Sequence, residues 1–553
     1  MFRQDIKNLA SICAQLGVRR AVIAPGSRNT PLTLAFTARE DIQCYPVTDE
    51  RSAGFFALGM AQYTHEPVVL VCTSGSAVLN FAPAVVEAYY QHLPLIVITA
   101  DRPSEWIDQS DGQTIRQQNI YANYCKASFQ LPSDQNSMNT EHSDRLAAQA
   151  VDMALQFPRG PVHLNVPLSD PLYVEMPDSP VQPRVIKSLS TETLPSPSTL
   201  SQFTAAWNKA SRRMIIAGTG TADPELNNLL NRLATTTETL VVAENLSGIS
   251  GDALITIPDL FFGAPREEEK QLLVPDLLIT IGHSVISKQL KQYLRTHQPK
   301  EHWQVQTELP YADTYRSLNY SVPVKAVHLL SSVEKEEQTT TFRSLVADIQ
   351  KRLSDRTNTY LNALPFCDTT VIGEVLTQVP SGWVVQLANS TPVRISQLFP
   401  TRADIQYFGN RGTSGIEGSV ATAAGSAVAS GKQTLLLSGD LSFLYDSNGM
   451  WNVNFPPNLH IIVLNNGGAN IFSMIGDQKV IERCQPFFDA GHTVNLRSLS
   501  EAYGIRFASC DASSDLKQEL NRFFEADGPQ VLEVLTDRET NVSTYKELFK
   551  HIR

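Results

Sequence analysis

Two oxygen donors stand at the ends of successive apolar runs late in the chain: Asp440 in Ser438-Gly439-Asp440, and Asn466 in Asn465-Asn466. A carboxylate and an amide oxygen are hard ligands suited to Mg²⁺, which also holds phosphates. The runs Gln433 to Leu437 and His460 to Leu464 read as strands with a short helix between them. In a parallel α/β sheet the loops converge beyond the carboxyl ends of the strands, so Asp440 and Asn466 are expected side by side. A helix start around Ser447 to Trp451 would offer backbone N–H groups to an anion. The plainer alternative is a buried crossover in which the Asp and Asn only cap and turn.

A second group of polar residues lies in the first third. Thr48-Asp49-Glu50-Arg51 precedes a helical stretch, Ser52 to Gln62. It reads as a cap whose charge suits the helix dipole, or as a carboxylic acid at a sheet mouth, placed to move a proton. Thr73-Ser74-Gly75-Ser76 joins a strand to the helical stretch Ala77 to Gln91, as a turn or as a set of hydroxyl and N–H donors. Arg28, Arg102, Arg394 and Arg411 each follow an apolar run. Singly, each is a surface ion-pair partner. Four of them in an acidic chain suit a pocket for several carboxylates, which arginine binds in bidentate fashion. Gly218-Thr219-Gly220 starts like a dinucleotide fingerprint, but Asp223 takes the place of the third glycine, which leaves a tight turn.

These residues need a scaffold, and the patterning supplies one. Arg20 to Ala24, Val68 to Thr73, Leu95 to Ala100 and Val162 to Val166 are short apolar runs with helical stretches between them. Met214 to Ala217, Thr239 to Ala243, Leu277 to Ile281 and Trp303 to Val305 form a second set. Trp383 to Leu387, Ile405 to Phe408, Thr434 to Leu437, His460 to Leu464 and Val531 to Leu535 form a third. Such alternation predicts parallel sheets with helices on both faces. With 553 residues the chain exceeds one core. The Ser/Thr/Pro-rich stretch from Ser188 to Ser201 reads as a linker, and the polar stretch from Glu334 to Thr341 as a second junction. The expected fold is therefore α/β, with three doubly wound domains over residues 1–187, 202–335 and 355–553 and no convincing sequence repeat among them. A helical tail is expected from Ser543 to Arg553.

Composition narrows the function classes. An apolar content of 42% with 18% charged residues is that of a soluble globular protein. The seven cysteines are scattered without a CxxC pair, against a disulfide framework or zinc site and in keeping with a cytoplasmic location. A net charge of −11 argues against nucleic acid as a partner. No run reaches the length of a membrane span, and residues 1–20 lack the apolar core of a signal peptide.

The motifs, taken in order, carry a family. Pro25-Gly-Ser-Arg-Asn-Thr-Pro-Leu32, Asp49-Glu50-Arg51, Thr73-Ser-Gly-Ser76, Thr99-Ala-Asp-Arg-Pro103 and Gln113-Thr-Ile-Arg-Gln117 lie in the first third. Asn410-Arg-Gly-Thr-Ser-Gly-Ile-Glu-Gly418 and Asn465-Asn-Gly-Gly-Ala-Asn-Ile-Phe-Ser473 lie in the last. Together they resemble the 2-succinyl-5-enolpyruvyl-6-hydroxy-3-cyclohexene-1-carboxylate (SEPHCHC) synthase family of thiamine diphosphate (ThDP) enzymes. Gly439-Asp440 followed by Asn465-Asn466 is similar to the metal motif common to ThDP enzymes, with Leu441 where a glycine is usual.

The resemblance implies pyrimidine-binding, middle and diphosphate-binding domains, with ThDP and Mg²⁺, or Mn²⁺, as cofactors. It implies a homodimer or homotetramer with active sites between subunits, so that Glu50 of one chain meets Asp440 and Asn466 of another. The implied reaction is decarboxylation of 2-oxoglutarate and conjugate addition of the succinyl unit to isochorismate, in menaquinone biosynthesis. By motif, Glu50 activates the cofactor. Asp440, Asn466 and the Gly468 carbonyl hold the metal, the carbonyl ligand lying between Gly467 and Ala469. Thr73, Ser74, Ile416, Gly439, Leu441 and Ile471 line the cofactor, with Ile416 as the wedge beneath it. Ser27, Arg28, Arg102, Gln113, Lys288, Ser390, Arg394 and Arg411 resemble the substrate-contacting set, and Ile471, Phe472 and Ile475 an apolar wall beside it. Two other readings compete: a simple 2-oxo acid decarboxylase or acetohydroxyacid synthase, and a non-catalytic nucleotide-binding α/β protein. Decarboxylases of this type commonly carry an adjacent His-His pair, which this chain lacks, whereas arginine-rich loops suit dicarboxylates.

Overall fold

The apolar runs become the strands of three parallel sheets. The computed structural model describes all residues except 1, 135, 178–180, 190, 221, 308–310, 334–340 and 476–477, and the side chains of 341, 475, 478, 481, 482 and 486. In the first sheet the strands are β1 (Arg20–Ile23), β2 (Gln43–Pro46), β3 (Val68–Cys72), β4 (Leu95–Asp101), β5 (Ser128–Gln130) and β6 (Val162–Pro167). The second holds β7 (Arg213–Ala217), β8 (Thr239–Ala243), β9 (Leu277–Ile281), β10 (Glu301–Val305) and β11 (Tyr320–Val322). The third holds β12 (Val384–Leu387), β13 (Gln406–Phe408), β14 (Thr434–Gly439), β15 (Leu459–Asn465), β16 (Arg506–Cys510) and β17 (Gln530–Leu535). Every pair is parallel, and β3 and β4 are buried at every position, as strands covered by helices on both faces must be.

The strand orders are β2-β1-β3-β4-β6-β5, β11-β10-β9-β7-β8 and β13-β12-β14-β15-β17-β16. The first and third sheets therefore share one winding, although their sequences show no repeat. In both, the chain reverses its direction of travel next to the first strand of the sheet, leaving a crevice at the carboxyl ends of β1 and β3 and of β12 and β14. The loops carrying Ser27, Arg28, Thr73 and Ser74 open into the first crevice, and those carrying Ser390, Arg394 and Asp440 into the second.

Three expectations need correction. The stretch Ala77 to Gln91 is two helices, Ser76–Asn80 and Ala82–Gln91, with Pro83 in the first turn of the second, where its missing N–H costs nothing. The linker ends early, because Ser196 caps a helix, Pro197–Lys209, by accepting the N–H of Thr199 at 3.1 Å. The tail helix starts at Arg538 rather than Ser543. The junction at Glu334 to Thr341 lies almost wholly outside the described residues.

The first and third units are joined by two helices, Glu50–Thr64 and Ser419–Ser430, that cross at close range. A Cβ on Gly59 would stand 2.0 Å from the Thr422 carbonyl oxygen, and one on Gly425 would stand 2.0 Å from that of Phe56. The backbones meet because those positions are glycine. Asp446, buried between the units, caps the second helix by accepting the Ala421 N–H at 2.8 Å.

Candidate active site

Asp440 opens the Asp440–Tyr445 helix directly after β14. Its Oδ1 accepts the Leu441 N–H at 2.7 Å and its Oδ2 the Gly468 N–H at 2.8 Å. His492 Nε2 lies 3.3 Å from the same Oδ2. Burial pushes the Asp440 carboxyl above its ordinary range, against the pull of these donors. Asn466 follows the adjacent β15, so the expected juxtaposition across the two strand ends is present. Its Nδ2 donates to Asp368 Oδ2 at 3.1 Å, while its Oδ1 is buried with no hydrogen-bond partner. A bare buried acceptor costs roughly 1–3 kcal/mol. A carboxylate beside an unspent amide oxygen is the donor set a hard divalent cation takes, so these residues fit a Mg²⁺ or Mn²⁺ ion.

Gly468 has a φ of +142°, and a Cβ there would stand 2.2 Å from the Asp489 carbonyl oxygen. Only glycine closes this turn over Asp440. The turn expected to bind an anion at Ser447 to Trp451 is a four-residue 3₁₀ turn, Ser447–Met450, too short for a helix dipole. The helix that starts beside the metal candidates is Asp440–Tyr445 itself, entered through Gly439. Ile416 is exposed, with its carbonyl held by Ser442 Oγ at 2.8 Å. Ile471 and Phe472 begin the Ile471–Ile475 helix, Phe472 stacking on Phe488 with ring centroids 4.9 Å apart. The side chain of Ile475 lies outside the described residues.

The four arginines assemble as two pairs. Arg394 Nη1 donates to the Ser390 carbonyl at 2.7 Å, and Arg411 Nη1 to Asn389 Oδ1 at 2.7 Å. Burial lowers both guanidinium pKa values, and the charge of Arg394 lowers that of Arg411 further. Arg411 also keeps a buried Nε without a partner. Ser390 has a φ of +76°, a strained conformation of the kind concentrated at functional sites. Glu87 of the first unit fixes the Arg411 loop by accepting the N–H groups of Gly412 and Thr413, each at 2.7 Å. Lys288 begins the Lys288–Thr296 helix and is exposed. Lys291, one turn on, is the cation that feels the charge of Arg411, and burial lowers its pKa.

The other pair sits at the mouth of the first sheet. Arg28 is buried, its Nη1 donating to the Leu168 carbonyl at 2.7 Å, and its pKa is lowered by burial and by Arg102. Arg102 holds the Gly112 carbonyl through Nη2 at 3.1 Å and pairs with Asp111 at 3.2 Å. Gln113 Nε2 donates to the Ser74 carbonyl at 3.1 Å, and Ser74 Oγ to the Gln113 carbonyl at 2.9 Å. Thr73 packs under the loop of Gly26 and Ser27, its buried Oγ1 unpartnered. Glu50 is the first residue of its helix, behind the Asp49 cap, and is half-buried. Among the described residues none hydrogen-bonds its carboxylate. The Gly218–Gly220 segment is a turn pressed on His283: a Cβ on Gly218 would lie 2.2 Å from the His283 carbonyl oxygen.

Among the described residues no hydrogen bond or ion pair links Glu50, Arg28, Arg102 or Gln113 to Asp440, Asn466, Arg394 or Arg411. Arg51 Nη2 reaches the Tyr445 carbonyl and Asn448 Nδ2 reaches Asp49, both at 2.8 Å. These contacts fall at the far end of a helix about 9 Å long that starts at Asp440. Sequence reading missed Asp368, Asn389, Glu87, His492 and Asn470, the last buried with both amide atoms unpartnered. Asn470 lies inside the Asn465–Ser473 motif and Asn389 directly precedes Ser390, so only these two had flanking positions available as a signal.

Comparison with known proteins bears on the whole chain. Three family models match: the thiamine pyrophosphate enzyme N-terminal TPP binding domain over residues 7–123, the middle domain of thiamine pyrophosphate enzymes over 187–383, and the C-terminal TPP binding domain over 390–534. A protein of Desulfotalea psychrophila named 2-succinyl-5-enolpyruvyl-6-hydroxy-3-cyclohexene-1-carboxylate synthase is 39% identical, covering 97% of this chain and 98% of its own. Proteins of the same name from Flavobacterium psychrophilum and Porphyromonas gingivalis are 37% and 34% identical, over 99% and 100% of this chain and 98% and 97% of their own. No helix among the described residues is long and apolar enough to cross a membrane.

Proposed function

The chain belongs to the SEPHCHC synthase family of thiamine diphosphate-dependent transferases, and from that premise we propose that it joins 2-oxoglutarate to isochorismate, giving SEPHCHC and CO₂ in menaquinone biosynthesis. ThDP, when bound, supplies the nucleophilic carbon and the electron sink that decarboxylation requires. The protein's own residues bind, orient and move one proton.

In this reading Asp440, Asn466 Oδ1 and the Gly468 carbonyl would hold Mg²⁺, with Mn²⁺ as the alternative, supplying positive charge for a diphosphate. Glu50 holds the proton at N1′ of the aminopyrimidine, the one acid–base task the cofactor needs from the protein. Thr73, Ser74, Ile416, Gly439, Leu441 and Ile471 line the cofactor. Arg28 with Arg102 and Gln113, and Arg394 with Arg411 and Ser390, take the substrate carboxylates as two separate cationic patches. Ser27, Lys288 and Phe472 complete the lining. Both substrates carry two carboxylates, and two arginine pairs match that demand. In keeping with the family resemblance, and with no hydrogen bond or ion pair between Glu50 and Asp440 among the described residues, the complete site forms between two subunits of a homodimer or a larger assembly of dimers. The three domains cover residues 1–187, 202–335 and 355–553.

The observation that carries the reading is the bare, buried Oδ1 of Asn466 beside Asp440, on the same sheet edge as the Arg394–Arg411 pair. The test is product identification with 2-oxoglutarate, ThDP and Mg²⁺, with and without isochorismate. SEPHCHC formed only when isochorismate is present supports the proposal. Succinic semialdehyde as the sole product in both mixtures would make the protein a simple decarboxylase instead.

A further inference from the structure

An asparagine side chain has two chemically opposite ends, and only its oxygen can bind a cation. We propose that Asp368 makes that choice for Asn466 and is thus a positioning residue of the metal site. The proposal rests on the metal reading given above. Asp368 is the first residue of the Asp368–Gln378 helix and is 1% exposed. It lies far from Asn466 in sequence, yet its Oδ2 accepts the Asn466 Nδ2–H at 3.1 Å.

The carboxylate cannot turn away from that task, because a closed ring of hydrogen bonds fixes it. Thr536 Oγ1 donates to Asp368 Oδ1 at 2.6 Å and accepts from Asn541 Nδ2 at 3.0 Å. Asn541 Oδ1 accepts the Asp368 N–H at 2.7 Å, which closes the ring. An ionised carboxylate only accepts hydrogen bonds. A flipped Asn466 would therefore set its oxygen against another oxygen, at the cost of an unsatisfied buried group. The flip is disfavoured, and Oδ1 is left as the bare buried acceptor facing away from Asp368. Partners of this kind, one shell behind a metal ligand, typically change metal affinity by about 10- to 100-fold when removed.

A plainer role is also available to Asp368, as a negative charge at a helix N-terminus. Two substitutions separate the roles. Asp368→Asn keeps an oxygen that accepts from Asn466 and an amide that can donate to Thr536. Asp368→Leu removes the acceptor while filling much of the volume. Mg²⁺ is titrated by calorimetry into the full-length protein at saturating ThDP, with circular dichroism melts alongside.

The leucine variant should need about 10- to 100-fold more Mg²⁺, and the asparagine variant should stay within about threefold of wild type. Wild-type Mg²⁺ affinity in the leucine variant, or equal weakening in both, would overturn the assignment. If the leucine variant does not fold, Asp368→Ala takes its place with the same expectation, and a tenfold loss in the asparagine variant alone is enough to reject the idea. A wild-type protein whose ThDP binding ignores Mg²⁺ refutes the metal reading itself. A Mg²⁺-dependent wild type with an indifferent leucine variant refutes only the role of Asp368.

Discussion

At the residue scale, each candidate group takes its chemistry from what surrounds it. Asp440 is deeply buried, which pushes its carboxyl above the ordinary range, while two backbone N–H groups pull the other way. Glu50 differs in having no hydrogen-bond donor to its carboxylate among the described residues, which leaves that carboxylate open to a group from outside the chain. Replacing it tests that. Glu50→Gln should lower turnover by about 10²- to 10⁴-fold, the usual reach of one acid–base group. Its melting temperature should match wild type, since the side chain makes no hydrogen bond or ion pair among the described residues. A variant keeping most of its turnover would remove Glu50 from the mechanism. The Glu was visible in sequence as part of Asp49-Glu50-Arg51, and the local fold behaves as either reading expected: Asp49 caps the helix, leaving Glu50 at its start. Asp368 and Glu87 were invisible there, because their partners are brought to them only by folding.

At the element scale, two helices bind the first unit to the third, and their separation is set by glycine. Gly425→Ala would force a methyl group onto the Phe56 carbonyl, 2.0 Å away. Overpacking of that kind costs about 1–3 kcal/mol. Denaturant melts should show the loss for Gly425→Ala but not for Gly112→Ala, where a Cβ meets nothing within 4 Å; equal effects would mean that the crossing is not tightly packed. The same helix pair shelters Asp446, whose carboxyl burial raises to about 7. The folded chain then keeps a proton that an unfolded aspartate, with a pKa of about 3.9, has released. The contribution to stability is therefore complete below about pH 4 and is lost as pH rises through 7. Asp446→Asn should flatten the decline in unfolding free energy between about pH 4 and pH 7, with Glu244, also raised to about 7, accounting for part of what remains. Parallel declines in variant and wild type would show that Asp446 does not carry the effect.

At the scale of the whole molecule, one chain carries its two groups of candidate site residues on two sheets of the same winding. If catalysis needs Glu50 of one subunit and Asp440 of the other, two inactive variants can repair each other. Glu50→Gln and Asp440→Asn chains, co-expressed in equal amounts, should recover about a quarter of wild-type activity, because half of the dimers are mixed and each mixed dimer has one intact site. No recovery in demonstrably mixed dimers would place both residues in a single-chain site. Much of this organisation was legible in the sequence. The central strands announced themselves as continuous apolar runs, because strands buried on both faces have no polar positions to spare. The strands that escaped notice, β2, β5, β11 and β16, all lie at sheet edges, where one free side allows short and partly polar sequences such as Gln43-Cys-Tyr-Pro46. Motif order determined the family, the cofactor and the candidate metal ligands by itself, since spacing along a strand–loop–helix unit maps directly onto position at a sheet edge. Only the tertiary structure decided that the four arginines form two pairs, that Asn466 presents a bare oxygen, and that Asp368 holds it so. Those outcomes depend on residues distant in sequence meeting in a low-dielectric interior, where hydrogen-bond partners are fixed by packing and not by neighbourhood along the chain.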